Sequence, residues 1–194
     1  MRSIPGSEMK LRSDAQANYT RIVAAATDVI DRDGPDAPLT TIAAEAAVGI
    51  ATLYRRFPTR DHLIEAVYRH RITTLCDSTA DIIETEPTAE SALDSWMVRY
   101  VDLLIANRGV PDAIRHVLAA DPDFVNESRT NLTRALAMLL AAGRRTHTFR
   151  DDYEPVDILR ALTGIGFVSQ SREHARRPLD LMMDGLTAPS RGGS

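Results

Sequence analysis

Residues 39–68 read LTTIAAEAAVGIATLYRRFPTRDHLIEAVY, and this stretch decides the fold. Apolar residues recur in it at helical spacing, interrupted at two points. The pattern predicts a short helix ending at Ala47, a turn at residues 48–49 and a second short helix over residues 50–57. Alanines on the first helix let the second approach closely across a tight turn. The stretch therefore predicts a helix-turn-helix.

The second of these helices has one face suited to a protein core and one suited to DNA. Leu53 and Phe57 lie four residues apart and are expected to be buried. On the other face, an arginine suits guanine edges or phosphate, an alanine suits thymine methyls, and hydroxyls suit phosphate oxygens. Free backbone N–H groups at the starts of the flanking helices can also hold phosphates. These arguments select Thr40, Thr41, Ala51, Thr52, Tyr54, Arg55 and Arg60 as candidate DNA-binding residues.

The chain on either side of this stretch is also predicted to be helical. A helix capped by Ser13 and Gln16 precedes it and ends at Gly34-Pro35. A long helix follows, from Thr59 to about residue 84. Five further helices are predicted. Four of them begin at Pro87, Asp121-Pro122, Pro155 and Pro178, and a short one, between the first two of these, ends at Ala119. We therefore expect an all-α fold of about nine helices, with an N-terminal three-helix DNA-binding domain and a C-terminal helical bundle.

The predicted domains follow from these boundaries. Residues 1–12 are expected to be a flexible arm and residues 13–60 the helix-turn-helix domain. Residues 61–187 are expected to form the ligand-binding and dimerisation domain, and residues 188–194 a disordered tail.

Composition excludes several classes of protein. No apolar run approaches the roughly 18 residues that span a bilayer, and MRSIPGSEMK has no apolar core, so we expect a soluble cytoplasmic protein without membrane contact. The single Cys76 excludes an internal disulfide and a multi-cysteine zinc site. We find no close His/Cys/Asp cluster, nucleophile motif, glycine-rich phosphate loop or paired carboxylates. No metal, cofactor or enzymatic activity is therefore expected.

The charge distribution restricts where DNA could bind. The chain carries a formal charge of −4, with +1 on residues 1–60 and −5 on the remainder. The acidic part repels DNA, so contacts with DNA are expected from the N-terminal part.

The segment IAAEAAVGIATLYRRFPTRDHLIEAVY resembles the DNA-binding domain of the tetracycline-repressor (TetR) family. With the preceding helix, the likeness covers about 45 residues. It implies phosphate contacts from Thr52, Tyr54 and Arg60. It also implies backbone contacts from Thr40 and Thr41, at the start of the helix that ends at Ala47. By the same resemblance, residues that face the bases or the groove edge are Ile50, Ala51, Arg55 and Arg56.

Three positions depart from the family pattern. Ala47 stands where a turn glycine is usual, and a Cβ at positive φ costs on the order of 1 kcal/mol. Gly49, which we include among the candidate DNA-binding residues, stands where a capping Ser or Thr is common. Arg56 stands where an aromatic residue is frequent, which leaves open whether Arg55 or Arg56 reads a base.

For the C-terminal domain, the resemblance implies an enclosed pocket and a dimer. The candidate ligand-binding residues are Trp96, Met97, Tyr100, His116 and Phe167, and the alternative for each is an ordinary place in the core. The last two helices are expected to pair across a homodimer through Leu162, Ile165, Phe167, Val168, Leu179, Met182 and Met183.

The favoured function is a repressor released from a palindromic operator in double-stranded DNA by a small-molecule effector. The alternatives are a helical interaction or ligand-binding protein that has lost DNA binding, and a helical enzyme.

Overall fold

The computed structural model describes residues 5–106 and 121–188, and these residues fold as nine helices. The expected short helix ending at Ala119 and the candidate His116 lie outside the described residues, as do residues 1–4 and 189–194. The helices are α1 (Pro5–Asp33), α2 (Leu39–Glu45), α3 (Ile50–Arg56), α4 (Arg60–Asp77), α5 (Thr79–Thr85), α6 (Ala89–Ala106), α7 (Pro122–Arg145), α8 (Pro155–Val168) and α9 (Arg172–Leu186). The prediction of an all-α fold is confirmed.

The chain divides into two compact units, and the division falls inside α4. Within the described residues, the N-terminal unit covers 5–70, and the C-terminal unit covers 71–106 and 121–188. This boundary lies later than the one that we predicted at residue 60. The reason is that Leu63, Ala66 and Val67 of α4 pack into the N-terminal core.

The N-terminal core is built from one face of each of its four helices. Ile22, Val29, Ile42 and Leu53 are fully buried in one cluster, and Ile22 and Val29 lie two turns apart on one face of α1. This cluster holds α3 in place, since Leu53 of α3 is fully buried in it. The apolar face of α1 is therefore a core face.

Helix α1 begins at Pro5, before the predicted start at Ser13. Residues 1–12 were expected to be a flexible arm, but the chain is helical from residue 5, and Ser13 lies inside the helix and not at its start. Proline is favoured in the first helical turn, because its φ is already helical and its missing N–H would have no partner there. The following residues 8–12, EMKLR, are all good helix formers.

In the C-terminal unit, α6 packs against α5, α7, α8 and α9. The long helix predicted from Thr59 ends at Asp77, and a new helix starts at Thr79. At the junction, the Ser78 hydroxyl donates to the Leu75 carbonyl at 3.1 Å. A serine side chain bound to the backbone in this way competes with the helical hydrogen-bond ladder.

Helix α9 begins at Arg172, so Pro178 lies inside it and does not open it as we predicted. The Ser171 hydroxyl caps the helix by accepting from the His174 N–H at 3.2 Å. Arg172 and Arg176 also pair with carboxylates of α6. The cap and these contacts between helices outweigh the hydrogen bond that proline cannot make.

The loop after α7 is fastened to the end of α9. The Arg150 N–H donates to the Leu186 carbonyl at 2.9 Å, and the Ala188 N–H donates to the Thr148 carbonyl at 2.8 Å. Between these bonds, Phe149 is buried and forms an antiparallel bridge with Thr187. The chain from residue 148 to 150 is therefore tied to residues 186–188.

Candidate nucleic-acid interface

The candidate reading helix is α3, which is short and buried on one side only. Leu53 and Phe57 are 0% and 4% exposed, which confirms the predicted core face. Tyr54 is 50% exposed, and Ala51 and Arg55 are also exposed. The helix ends before Pro58, which cannot continue it. Helix α3 therefore exposes Tyr54, Arg55 and Ala51 on one face, while its opposite face is anchored in the core.

The turn between α2 and α3 has the geometry of a helix end closed by a left-handed residue. Ala47 has a φ of 51°, so the expected positive φ at this alanine is confirmed. The Val48 N–H donates to the Ala43 carbonyl and the Ala47 N–H donates to the Ala44 carbonyl, both at 3.0 Å. These two bonds are the Schellman pattern. The tight turn that usually requires glycine thus forms with alanine.

Gly49 precedes α3 as its N-cap, with extended backbone and without a side-chain cap. A Cβ added at this position would meet nothing within 4 Å. The space for a capping serine is therefore present, and a serine side chain could satisfy one of the free N–H groups at the start of α3.

Arg56 is held by an aromatic pair beneath it. Its guanidinium carbon lies 4.9 Å from the centre of the Tyr19 ring, which is cation–π geometry. The Tyr19 ring packs in turn on Phe57, with the ring centres 5.5 Å apart. Arg55 is exposed and has no ion pair among the described residues. The two arginines therefore differ, because Tyr19 of α1 fixes Arg56, whereas Arg55 can reorient.

Arg60 forms hydrogen bonds with backbone carbonyls of the N-terminal unit in this structure. Its guanidinium donates to the Pro35 carbonyl at 2.6 Å and to the Ala37 carbonyl at 2.8 Å. Arg60 thus ties the start of α4 to the loop between α1 and α2. The sequence gives no sign of this role, because its partners lie more than 20 residues away along the chain.

The structure brings all ten candidate DNA-binding residues into the N-terminal unit. Helix α2 begins at Leu39, so Thr40 and Thr41 lie in its first turn, with Thr40 exposed and Thr41 half-buried. Thr52 on α3 is also half-buried. The remaining candidates are Gly49, Ile50, Ala51, Tyr54, Arg55, Arg56 and Arg60, of which all but Arg60 are exposed.

Three of the candidate ligand-binding residues lie in the core of the C-terminal unit. Trp96 and Met97 are fully buried, and Tyr100 is 5% exposed. The Trp96 indole donates to the Thr79 hydroxyl at 3.2 Å, and the Tyr100 hydroxyl shares a hydrogen bond with the Thr163 hydroxyl at 3.0 Å. Burial raises the pKa of Tyr100. Their polar atoms are thus satisfied by core partners.

Phe167 does not share this environment. It lies on α8 and is 57% exposed, so its proposed place in an enclosed pocket is wrong for this structure. Helix α8 is apolar on several faces, and the spacing of its residues does not tell which face is inward.

Within the part of the chain that the structure describes, no helix is long and apolar enough to cross a membrane. In the same residues, no group of three or more His, Cys, Asp or Glu side chains is placed to hold a metal ion.

Comparison with known proteins assigns both units. Residues 22–67 match the family described as "Bacterial regulatory proteins, tetR family". Residues 88–188 match the family described as "Transcriptional regulator SbtR-like, C-terminal domain". No curated protein matched the chain.

Solved structures match over nearly the whole chain. The TetR transcriptional regulator SCO0520 from Streptomyces coelicolor is 39% identical, with a TM-score of 0.73 over 89% of this chain and 99% of that one. A TetR regulatory protein from Mycobacterium vanbaalenii is 28% identical, with a TM-score of 0.61 over 92% and 99% of the two chains. FadR from Bacillus subtilis, solved with stearoyl-CoA, shares the fold at 16% identity, with a TM-score of 0.52 over 87% and 99%.

These matches cover the helix-turn-helix and the C-terminal helices with one and the same family. The chain belongs to the TetR family of bacterial transcriptional regulators, and α2 and α3 are its DNA-binding helix-turn-helix.

Proposed function

We propose that the protein is a homodimeric repressor that binds a palindromic operator and is released from it by a small-molecule effector. The observation that carries this proposal is the exposed face of α3, with Tyr54 and Arg55 on a helix anchored by Leu53 and Phe57. A helix fixed in this way can enter the major groove, where tyrosine and arginine reach phosphates and base edges.

A dimer is supported by apolar side chains that the C-terminal unit leaves exposed. Phe167 and Val168 on α8 are 57% and 75% exposed, and Leu181 on α9 is 66% exposed. An apolar groove of about 330 Å³ between the two helices is lined in part by Ala161 and Met182. Such a surface favours association with a second copy, and two-fold symmetry matches a palindromic site.

The dimer face differs in composition from our prediction. Leu162 and Leu179 are 0% and 2% exposed, so they belong to the core of the C-terminal unit and not to a surface. Small residues, Ala161 and Gly164 on α8 and Gly185 on α9, are exposed in their place. Small side chains let two helices of different copies approach closely.

The proposed face can be tested with a matched pair of substitutions. Val168→Asp would place a charge in the interface and shift the protein to a monomer in analytical ultracentrifugation. The control is Met138→Asp, because Met138 is an apolar residue of α7 that is 42% exposed. This substitution should leave the dimer unchanged. Dissociation by Met138→Asp alone would place the interface on another surface.

Membership of the TetR family is the reason that the proposal includes an effector site. It does not assign the chemical class of the ligand. FadR of Bacillus subtilis was solved with stearoyl-CoA, and a regulator from Saccharomonospora viridis was solved with choline. These ligands share little chemistry. A ligand releases the operator only if it binds the DNA-bound and free conformations with different affinities.

Selection of bound sites from a random duplex library, with the purified dimer at moderate salt, tests DNA binding directly. A recovered palindrome supports the proposal and supplies an operator. Arg55→Ala should then relax base preference, whereas Tyr54→Phe should weaken binding to all sequences alike. If a folded dimer recovers no motif, the helical interaction protein that has lost DNA binding becomes the better description.

A further inference from the structure

A small cavity lies between α1 and α3 in the N-terminal unit. It is lined by Ala15, Asn18, Ile22, Thr52, Arg55 and Arg56, and we call these residues the α1–α3 notch. Its volume is about 140 Å³. Pockets for drug-sized ligands occupy roughly 300–1,000 Å³, so the notch is too small for such an effector. A single tetrahedral anion is a better match to its size.

The chemistry of the lining also selects an anion. Two of the six lining residues are arginines, one is a threonine and one an asparagine, and the other two are apolar. Fully buried Ile22 backs the polar side chains. Guanidinium groups, a hydroxyl and an amide N–H₂ are the donors that proteins direct at phosphate oxygens.

Two contacts orient these donors in advance. The Arg21 guanidinium donates to the Asn18 side-chain oxygen, which leaves the amide N–H₂ of Asn18 as its free donor end. Tyr19 holds the Arg56 guanidinium from below, as described above. Arg21 also adds a third positive charge next to the notch. Little side-chain entropy is then left to lose when an anion binds.

We propose that the α1–α3 notch holds one phosphate of the DNA backbone beside the recognition helix, with Asn18 of α1 as a direct contact. This inference rests on the proposed function, because it adds a DNA contact from α1 to the helix-turn-helix. It also separates the arginines: Arg56, held by Tyr19, binds the phosphate, and Arg55 is free to reach a base.

The test is a phosphate-by-phosphate scan of the selected operator, in which each phosphate in turn is replaced by an uncharged methylphosphonate. Wild-type protein should lose affinity at several positions. Asn18→Ala should lose roughly tenfold on the unmodified operator, the effect of one hydrogen bond to a charged group. At one phosphate in each half-site, the substitution and the methylphosphonate together should cost no more than the methylphosphonate alone.

The matched control is Asn126→Ala. Asn126 on α7 also accepts from an arginine three residues later, Arg129, at 3.3 Å, but lies outside the notch. This variant should keep the wild-type affinity and the wild-type profile. Thr52→Val, which removes only the hydroxyl, is the second variant and should become insensitive at the same phosphate as Asn18→Ala.

The outcomes separate this inference from the proposed function. If selection yields no operator, the proposed function fails first. If an operator is found and no phosphate is coupled to Asn18, the inference alone is wrong. The remaining arm adds excess orthophosphate at constant ionic strength. If orthophosphate protects wild type from unfolding but does not protect Asn18→Ala, and no DNA phosphate is coupled to Asn18, the notch binds a free anion and the inference is overturned.

Discussion

Replacing Ala47 with glycine should stabilise the helix-turn-helix, although glycine usually destabilises helical segments. The backbone of Ala47 has a φ of 51°, in the left-handed region. An alanine there costs about 1–2 kcal/mol, which glycine avoids. Glycine also loses more chain entropy on folding, a cost of about 0.4–1 kcal/mol. The methyl group of Ala47 is exposed, so little packing is lost. The net expectation is a gain of about 0.5–1 kcal/mol.

Ala44→Gly is the matched control, because Ala44 is also an exposed alanine but has helical backbone inside α2. It should destabilise by about 0.5–1 kcal/mol. The assay is amide hydrogen exchange at the Val48 N–H, which donates to the Ala43 carbonyl across the turn. Ala47→Gly should slow this exchange about two- to fivefold, and Ala44→Gly should accelerate it. Faster exchange in Ala47→Gly would refute the argument from backbone strain.

Three further predictions follow from contacts described above or from the packing of α8. Gly166→Ala should destabilise the C-terminal unit by about 1–3 kcal/mol in urea denaturation, because the new Cβ would lie 2.4 Å from a Leu104 methyl carbon. Unchanged stability would show that the Leu104 side chain can move aside. Arg60→Ala should lower the stability of the N-terminal unit by about 1–3 kcal/mol, seen as faster hydrogen exchange, because two carbonyls lose their donor. A residue that only contacted phosphate would weaken DNA binding and leave exchange unchanged. Burial raises the pKa of Cys76 to about 11, so iodoacetamide at pH 8 should modify it at least tenfold more slowly than free cysteine, with a rate that climbs as the pH approaches that value. Fast modification at pH 8 would contradict the raised pKa of this half-buried thiol.

Local sequence pattern was enough to predict the helices and the faces of α3. Leu53 and Phe57 are buried as their spacing indicates, and the left-handed backbone at Ala47 follows from the family pattern at the turn. These features depend on residues within one or two helical turns of each other. Interactions over such short distances leave a periodic trace in the sequence.

Features that depend on distant partners were not predictable in this way. Nothing near Arg60 indicates that it binds carbonyls of the loop before α2, and nothing near Arg56 indicates Tyr19 beneath it. Pro178 is a similar case, because a helix cap and ion pairs with another helix hold it inside α9. Local rules describe an isolated segment, and tertiary contacts of a few kcal/mol can override them.

The clasp between residues 148–150 and 186–188 bears on how nonsense alleles of this gene should be interpreted. A stop codon at Thr187 removes the last residues of the chain and with them the N–H of Ala188 that binds the Thr148 carbonyl. It also removes the bridge partner of Phe149, whose ring fills the space beside Gly143. A strain with such an allele would be expected to lose regulation through faster turnover of the protein. Genetic screens for effector-blind mutants should therefore measure the amount of protein before they assign a truncation to ligand recognition.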